Sequence, residues 1–580
     1  MPKIHRITHD DQLVERKVNF FADYFAFAAE TIGTNDIVPI ENPLSLVDKI
    51  IFQVTHNPNR CIPYVDGYLN YFSFLEWENY KEFKSYKRLK NLIIEYKANK
   101  KQGLKITWLQ SNPEFLQTLN IFKRDLKKIM FKKALREIIS YLRCVHEIET
   151  HKEDLINQTN IIVSELVLND RSKNDIAMIF ERIITREIGK FPFSKSLKSP
   201  EEKENFIKNR NFQQQFDGIY NILKEKLSAN YFIFRVYGLK SFDQFTFVYN
   251  RVTFYNPKHE KLQEINKKIK GEKFLNDFLE NDEYLLLAVV RAEYGSIDIA
   301  TSNAVEIINR ELQFINKVFS ANCYLEKFSY LLTPDFVSIG WQMNAKDKGH
   351  RIITKETELL KDNPYNFLKK SPKRLKEDLL KYEPIFVDAL MNRNISTYWQ
   401  YLETIIPATK HDEKQVIHSV SNLLLLNAET HYKNRLRSYI IGALSPLSIS
   451  AAHLGISTSR QLEIINRPDL INWRDLKDEI NHPFLKYLVG EFLSKLHKQD
   501  LLNRKHFYEV ILLEAYAQRN SIIHRGFANE KSLITLNGTL PRFVNRLRWI
   551  LFDGIKQKVG NDYPEIVFNL KEKASMMIQK

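Results

Sequence analysis

Between about residue 229 and residue 354 the hydrophobic pattern changes its period, and this change constrains the architecture more than any other feature of the chain. Upstream, residues 1 to about 225 place apolar side chains at three- and four-residue spacing, as amphipathic helices do. The runs Tyr231 to Tyr237 and Phe245 to Tyr249 are instead short and rich in aromatic and β-branched residues, the composition of strands. Tyr284 to Ala292 reads as a buried strand that passes, after Gly295 and Ser296, into an amphipathic helix from Ile297 to about Phe319. Further strand-like runs cover Phe336 to Gln342 and Arg351 to Thr354, and helical spacing returns from about 370 to the end. The expected fold is therefore α+β and multidomain, mainly helical. A helical region spans 1–228, an α+β domain with a helical connector spans 229–411, and an all-α bundle spans 412–580. At 580 residues the chain is too long for one hydrophobic core, while 17 glycines and 19 prolines leave little room for long linkers.

Several classes of protein are excluded at this level. The polar N-terminus lacks the apolar run of a secretory signal, and no stretch reaches the length of uncharged apolar sequence that a membrane-spanning helix needs. Cys61, Cys144 and Cys323 lie far apart and form no CxxC pair, so neither a disulfide framework nor a cysteine zinc site is expected. His146 and His151 flank a glutamate, but they are one residue too far apart for the HExxH arrangement that puts two imidazoles on one helix face. These features indicate a cytoplasmic protein without metal, cofactor or membrane contact.

A formal net charge of +16 points to a polyanionic partner. Two basic runs stand out: Lys81, Lys84, Lys87, Arg88 and Lys90, interleaved with Tyr80, Phe83 and Tyr86; and Lys123, Arg124, Lys127, Lys128, Lys132, Lys133 and Arg136. Either could track phosphates, or be the solvated side of an amphipathic helix. The stretch Lys195 to Glu204 reads as an exposed loop.

In the last third, Lys414 to Leu444 reads as one long helix stopped by Ser445 and Pro446, and Phe484 to Lys498 as a second. Asn503 to about Arg525 is a third, closed by Gly526, and Pro541 is expected at the first position of a basic helix reaching Gly560. The third helix carries Arg519, Asn520 and His524. Of the fifteen histidines, only His524 has an arginine five to seven positions upstream.

These residues suit cleavage of RNA, which supplies its own nucleophile in the 2′-hydroxyl. An imidazole with an ordinary pKa near neutrality can remove the hydroxyl proton or protonate the leaving 5′-oxygen. A guanidinium offers permanent charge and a planar donor fork to the crowded phosphate. Asn520 and His524, four apart, share a helix face, whereas Arg519 and His524, five apart, diverge by about 140°. Glu514, Gln518, Ser521 and Arg525 form a neighbouring polar stripe, and Tyr516 could stack on a base or sit in an interface. Arg525, Arg542, Arg546 and Arg548 could guide RNA, the last three from the following helix.

The R-polar-x3-H pattern of Arg519, Asn520 and His524, late in a helical C-terminal region, resembles that of the HEPN superfamily of ribonucleases. The resemblance covers about 412–580, and in layout the chain is similar to Apea-like members that act in bacterial antiviral abortive infection. It implies a metal-independent endoribonuclease, a homodimer whose paired motifs build one cleft, and an upstream region that answers a phage-derived trigger. Two other classes fit the residues: a HEPN protein that binds RNA or nucleotides without cutting, and a helix-turn-helix DNA-binding regulator. The second is carried by Ile449 to Ser457 with Gly455 at the bend and Ser459 to Leu462 after it.

Overall fold

Two groups of helices at opposite ends of the chain share one core, and a small sheet builds the other unit. The computed structural model describes residues 11–32, 41–58, 61–72, 80–81, 83–169, 171, 176, 179, 197–208, 216, 219, 228–249, 252–262, 264, 284–294, 304–305, 307–308, 311–312, 315–316, 323–332, 338–342, 372–392, 394–406, 413–525 and 530–579. By contacts the chain divides into a unit of Met1–Leu168, Phe180–Phe216 and Leu359–Lys580 and a unit of Asn169–Ile179 and Asp217–Glu358. The described residues are mainly helical, with one antiparallel sheet.

The sheet comprises β1 (Ser228–Tyr237), β2 (Thr246–Tyr249), β3 (Val252–Tyr255), β4 (Leu285–Tyr294), β5 (Tyr324–Leu332) and β6 (Ser338–Gln342), in the order β2-β3-β4-β1-β5-β6. Every neighbouring pair is antiparallel. In the β1–β4 register Phe232 faces Val290, Phe234 faces Ala288 and Val236 faces Leu286, so one face is apolar throughout. Ala304, Ile307, Ile308, Leu312 and Ile315, from the expected 297–319 helix, complete that core. The expected strand at Arg351 to Thr354 lies outside the described residues.

The first helical group consists of α1 (Gln12–Thr31), α2 (Pro43–His56), α3 (Ile62–Phe72), α4 (Lys84–Ala98), α5 (Gln102–Ser111), α6 (Pro113–Arg143), α7 (Ile148–Leu168) and α8 (Pro200–Lys208). Asp11 caps α1 by accepting from the Leu13 and Val14 N–H groups, and an Asn42/Ser45 capping box opens α2. α8 replaces part of the expected loop. Ser199 Oγ accepts from the Glu202 N–H and Glu202 accepts from the Ser199 N–H, a capping box with Pro200 at the first helical position.

The second group consists of α9 (Lys373–Asn392), α10 (Ile395–Ile405), α11 (Glu413–Leu425), α12 (Ala428–Ala443), α13 (Ala451–Leu454), α14 (Thr458–Asn466), α15 (Trp473–Glu479), α16 (Pro483–Leu493), α17 (Lys498–Arg525), α18 (Glu530–Lys556) and α19 (Tyr563–Gln579). Two expectations fail here. The single helix from Lys414 to Leu444 is broken between Leu425 and Ala428, and Pro541 lies inside α18, not at its start. A proline inside a helix removes one backbone hydrogen bond, which α18 tolerates because Leu540, Phe543, Val544 and Leu547 around it are buried.

The groups meet through an aromatic face of α1. Phe27 packs edge-on against Tyr439 of α12 at 4.8 Å and contacts Phe484 of α16 at 5.9 Å, and Phe20 meets Phe484 and Tyr487 at 5.9 and 5.7 Å. Burying each such ring stabilises the fold by roughly 1.5–3 kcal/mol, so the first helices form part of the core of the last ones.

Glu491 of α16 sits beside this seam, accepting from the Tyr432 hydroxyl at 3.0 Å. Burial holds its carboxyl above the ordinary glutamate range, although Tyr432 and Lys152 pull the other way. The folded chain thus binds this proton more readily than the unfolded chain. That contribution to stability is complete at acid pH and lost as pH rises through the folded pKa. Glu491→Gln is therefore expected to raise the unfolding midpoint at neutral pH. The gain should close as pH falls through the carboxylate range, and a gain independent of pH would contradict this origin.

Candidate active site

α17 is the spine on which the expected site residues stand. Phe507, Tyr508 and the run Val510 to Ala515 are all buried, so the middle of the helix is enclosed on every side. It packs against α3, α10, α11, α18 and α19. α3 comes close because Gly67 has no side chain; a Cβ there would lie 2.4 Å from Leu513 Cδ1.

Two members of the expected polar stripe are buried within this spine. Glu514 and Gln518 are 4% and 6% exposed. Glu514 accepts from the Tyr68 hydroxyl of α3 at 2.7 Å and from Gln518 Nε2 at 3.0 Å. Lys49 of α2 lies 3.5 Å from Glu514 and 2.8 Å from Glu41. Burial alone would lower the Lys49 pKa, but Glu41 and then Glu514 outweigh it and hold the ammonium above its usual range. Burial and Glu514 likewise push the Tyr68 hydroxyl far up. The composition of the stripe gave no sign that it would be enclosed, since the partners come from more than 400 residues upstream.

At the C-terminal end of α17 the helix surface opens. Arg519 and Asn520 are both half-buried, and Arg519 Nη1 donates to Asn520 Oδ1 at 3.0 Å. Arg519 Nη2 stands 3.9 Å from Glu403 of α10, in a loose pair that leaves the guanidinium 29% exposed. Sequence reasoning did not find Glu403, because nothing local to α10 marks it. α17 continues through His524 to Arg525, and the side chains of these two residues lie outside the described ones. With the helix unbroken, positions 519 and 524 are separated by about 7.5 Å along the axis and about 140° around it. Tyr516 is half-buried with its ring 5.1 Å from that of the fully buried Trp399, so packing occupies it.

The arginines expected to guide RNA divide. Arg542 lies half-buried one turn before Arg546. Arg546 is 6% exposed; it donates to the Leu424 carbonyl at 2.9 Å, to Asn427 Oδ1 at 3.0 Å and to the Tyr508 hydroxyl at 3.2 Å. Leu424 belongs to the last turn of α11, so Arg546 caps that helix with a cation and a donor. This contact explains the break after Leu425, which no local signal in 414–444 announces. Arg548 forms a two-pronged pair with Glu383, both bonds 2.9 Å, and lies over Phe386 and Phe552. Arg546 and Arg548 are thus both engaged by partners within the fold.

The segment resembling a helix-turn-helix consists of two short helices joined at Gly455. Gly455 adopts φ +75° after α13, a helix of only four residues, and Asn481 packs where its side chain would be. Arg460 on α14 is held by Glu479 and Glu463, and Gln461 is buried, donating to the Leu444 and Ile449 carbonyls. Among the described residues no group of three or more His, Cys, Asp or Glu gathers as a metal site would, and no helix is long and apolar enough to cross a membrane.

Arg546→Ala would strip a donor from three acceptors, two of them buried, and is expected to destabilise the fold by about 2–4 kcal/mol. Thermal or urea unfolding reads this directly. A surface arginine serving only RNA would instead leave stability within about 0.5 kcal/mol.

Comparison with protein families, with curated proteins and with solved structures finds no match to this chain.

Proposed function

We propose that the protein is an endoribonuclease of the HEPN type, with Arg519, Asn520 and His524 as its catalytic residues. The observation that carries the reading is the placement of Arg519 and Asn520. They are half-exposed, bonded to each other, and fixed at the end of a helix whose middle is fully enclosed. A catalytic arginine needs this combination of rigid backbone and accessible guanidinium. His524 follows one turn after Asn520 on the same helix.

In the proposed reaction His524 removes the 2′-hydroxyl proton and the 2′-oxygen attacks the adjacent phosphorus. The bond from phosphorus to the 5′-oxygen breaks, and the leaving oxygen takes up a proton. The products are a 2′,3′-cyclic phosphate and a 5′-hydroxyl. Arg519 neutralises the charge gathered on the phosphate oxygens, and Asn520 holds the guanidinium in place. The loose pairing with Glu403 lets a phosphate compete for Arg519, because a contact at 3.9 Å between partly exposed groups is weak.

Because positions 519 and 524 diverge on one helix, the cleft is proposed to form between two copies, with Arg519 of one chain near His524 of the other. Ile523 supports this reading: it is 52% exposed beside the motif, an apolar side chain that a second copy would cover. In the full proposal the protein is a cytoplasmic, toxin-like effector of antiviral defence, restrained until a phage-derived trigger arrives. The first helices, packed directly on α17, supply a route for that restraint.

Total cellular RNA incubated in EDTA with the wild type is expected to yield fragments with 2′,3′-cyclic phosphate ends. His524→Ala and Arg519→Ala should each reduce cleavage by about 100-fold or more. Induction of the three proteins in cells, read as growth arrest, covers the need for a trigger. Identical behaviour of all three in both assays would refute the proposed site.

A further inference from the structure

α6 keeps one side in the core and charges the other. Phe115, Leu119, Phe122, Leu126, Met130, Leu135, Ile138 and Leu142 are buried, whereas Arg124, Lys127, Lys128, Lys132 and Arg136 are all exposed. Arg124, Lys128, Lys132 and Arg136 stand four residues apart, which places successive charges about 6 Å apart along some 18 Å of rod. Like charges at this spacing destabilise a helix, so the row persists against local stability.

Two of the three carboxylates of α6 engage residues of α4. Glu114 pairs with Arg88 at 2.6 Å, Asp125 accepts from Ser85, and Glu137 lies 4.0 Å from Lys133. Among the described residues Arg124, Lys127, Lys128 and Arg136 have no ion-pair partner. The other basic run is used differently. Tyr80 is buried and stacked on Phe83, and Phe83 and Tyr86 turn onto Phe122 of α6, so its aromatic residues join the α4–α6 seam.

We infer that the exposed face of α6 is a docking surface for the phosphodiester backbone of single-stranded RNA. Charge complementarity selects the occupant: a row of cations at regular spacing suits a row of phosphates at comparable spacing. A membrane surface suits it poorly, since Ile121 is the one apolar side chain exposed between Gln117 and Arg143, far from the broad apolar face that enters lipid. The choice of RNA over DNA rests on the ribonuclease reading; the phosphate-binding face does not.

Binding of a fluorescent single-stranded RNA to full-length His524→Ala protein, measured across a salt series, tests the inference without interference from cleavage. Adding R124Q, K128Q, K132Q and R136Q together should lower the salt slope of log K by about 3 and weaken binding about tenfold or more at physiological salt. The thermal midpoint should be unchanged or raised, which separates lost contacts from misfolding. The comparison variant K84Q/K87Q/K90Q, on the same background, should lose distinctly less. Equal losses in the two variants, or unchanged RNA binding in the first, would overturn the surface. So would anionic phospholipid vesicles that bind through these residues while RNA does not. Preference for single-stranded DNA of the same length would overturn RNA as the occupant. Cleavage by the wild type is read separately, so failure of the surface and failure of the nuclease are distinguishable.

Discussion

A half-buried ammonium between two buried carboxylates holds the helical unit together where it matters most. Lys49 of α2 lies between Glu41 and Glu514, and Glu514 in turn receives the Tyr68 hydroxyl of α3 and the Gln518 amide. Removing one partner of such a group leaves the others charged or polar without compensation, at a cost of about 2–4 kcal/mol. The network joins residues more than 400 positions apart, so α17 acquires its surroundings only when the first helices have docked. Everything proposed for its C-terminal end depends on that docking: a guanidinium can be rigid and accessible only if the helix behind it is fixed.

This arrangement changes how the upstream region is understood. A detachable sensor would leave the bundle with its own complete core, whereas α1 contributes Phe20 and Phe27 to the aromatic seam with α12 and α16. α2 and α3 supply polar partners to α17 itself. A signal that shifts α2 or α3 reaches Glu514, one turn and a half before Arg519, through direct contact. The mechanism proposed for restraint is therefore mechanical coupling within one core, with no need for a mobile lid.

Legibility from sequence followed the range of the forces involved. β1, β2 and β4 were readable because aromatic and β-branched residues impose an extended chain locally, and the end of α12 before Ser445 and Pro446 was readable because proline acts on its own neighbours. The Ser199 and Glu202 capping box that opens α8 is equally local. By contrast, the break after Leu425 is made by Arg546, 122 residues away from Leu424. The placement of Pro541 inside α18 depends on burial that no local pattern reveals. At the site, Arg519, Asn520 and His524 were legible as a spacing on a helix, while Glu403 and the enclosure of Glu514 and Gln518 arise from other helices. The partners of Arg546 and Arg548 were not legible, because a basic residue looks alike in sequence whether it meets solvent or is held within the fold.

The central claim is that a guanidinium from one copy and an imidazole from another act on one phosphate. Co-expression of the Arg519→Ala chain with the His524→Ala chain tests it most directly, with cleavage of cellular RNA as the readout. In a mixed dimer one of the two clefts would hold an intact pair, so random pairing predicts recovery to about a quarter of wild-type cleavage. If the two chains are recovered as a heterodimer and cleavage stays at the level of either variant alone, the shared cleft is wrong.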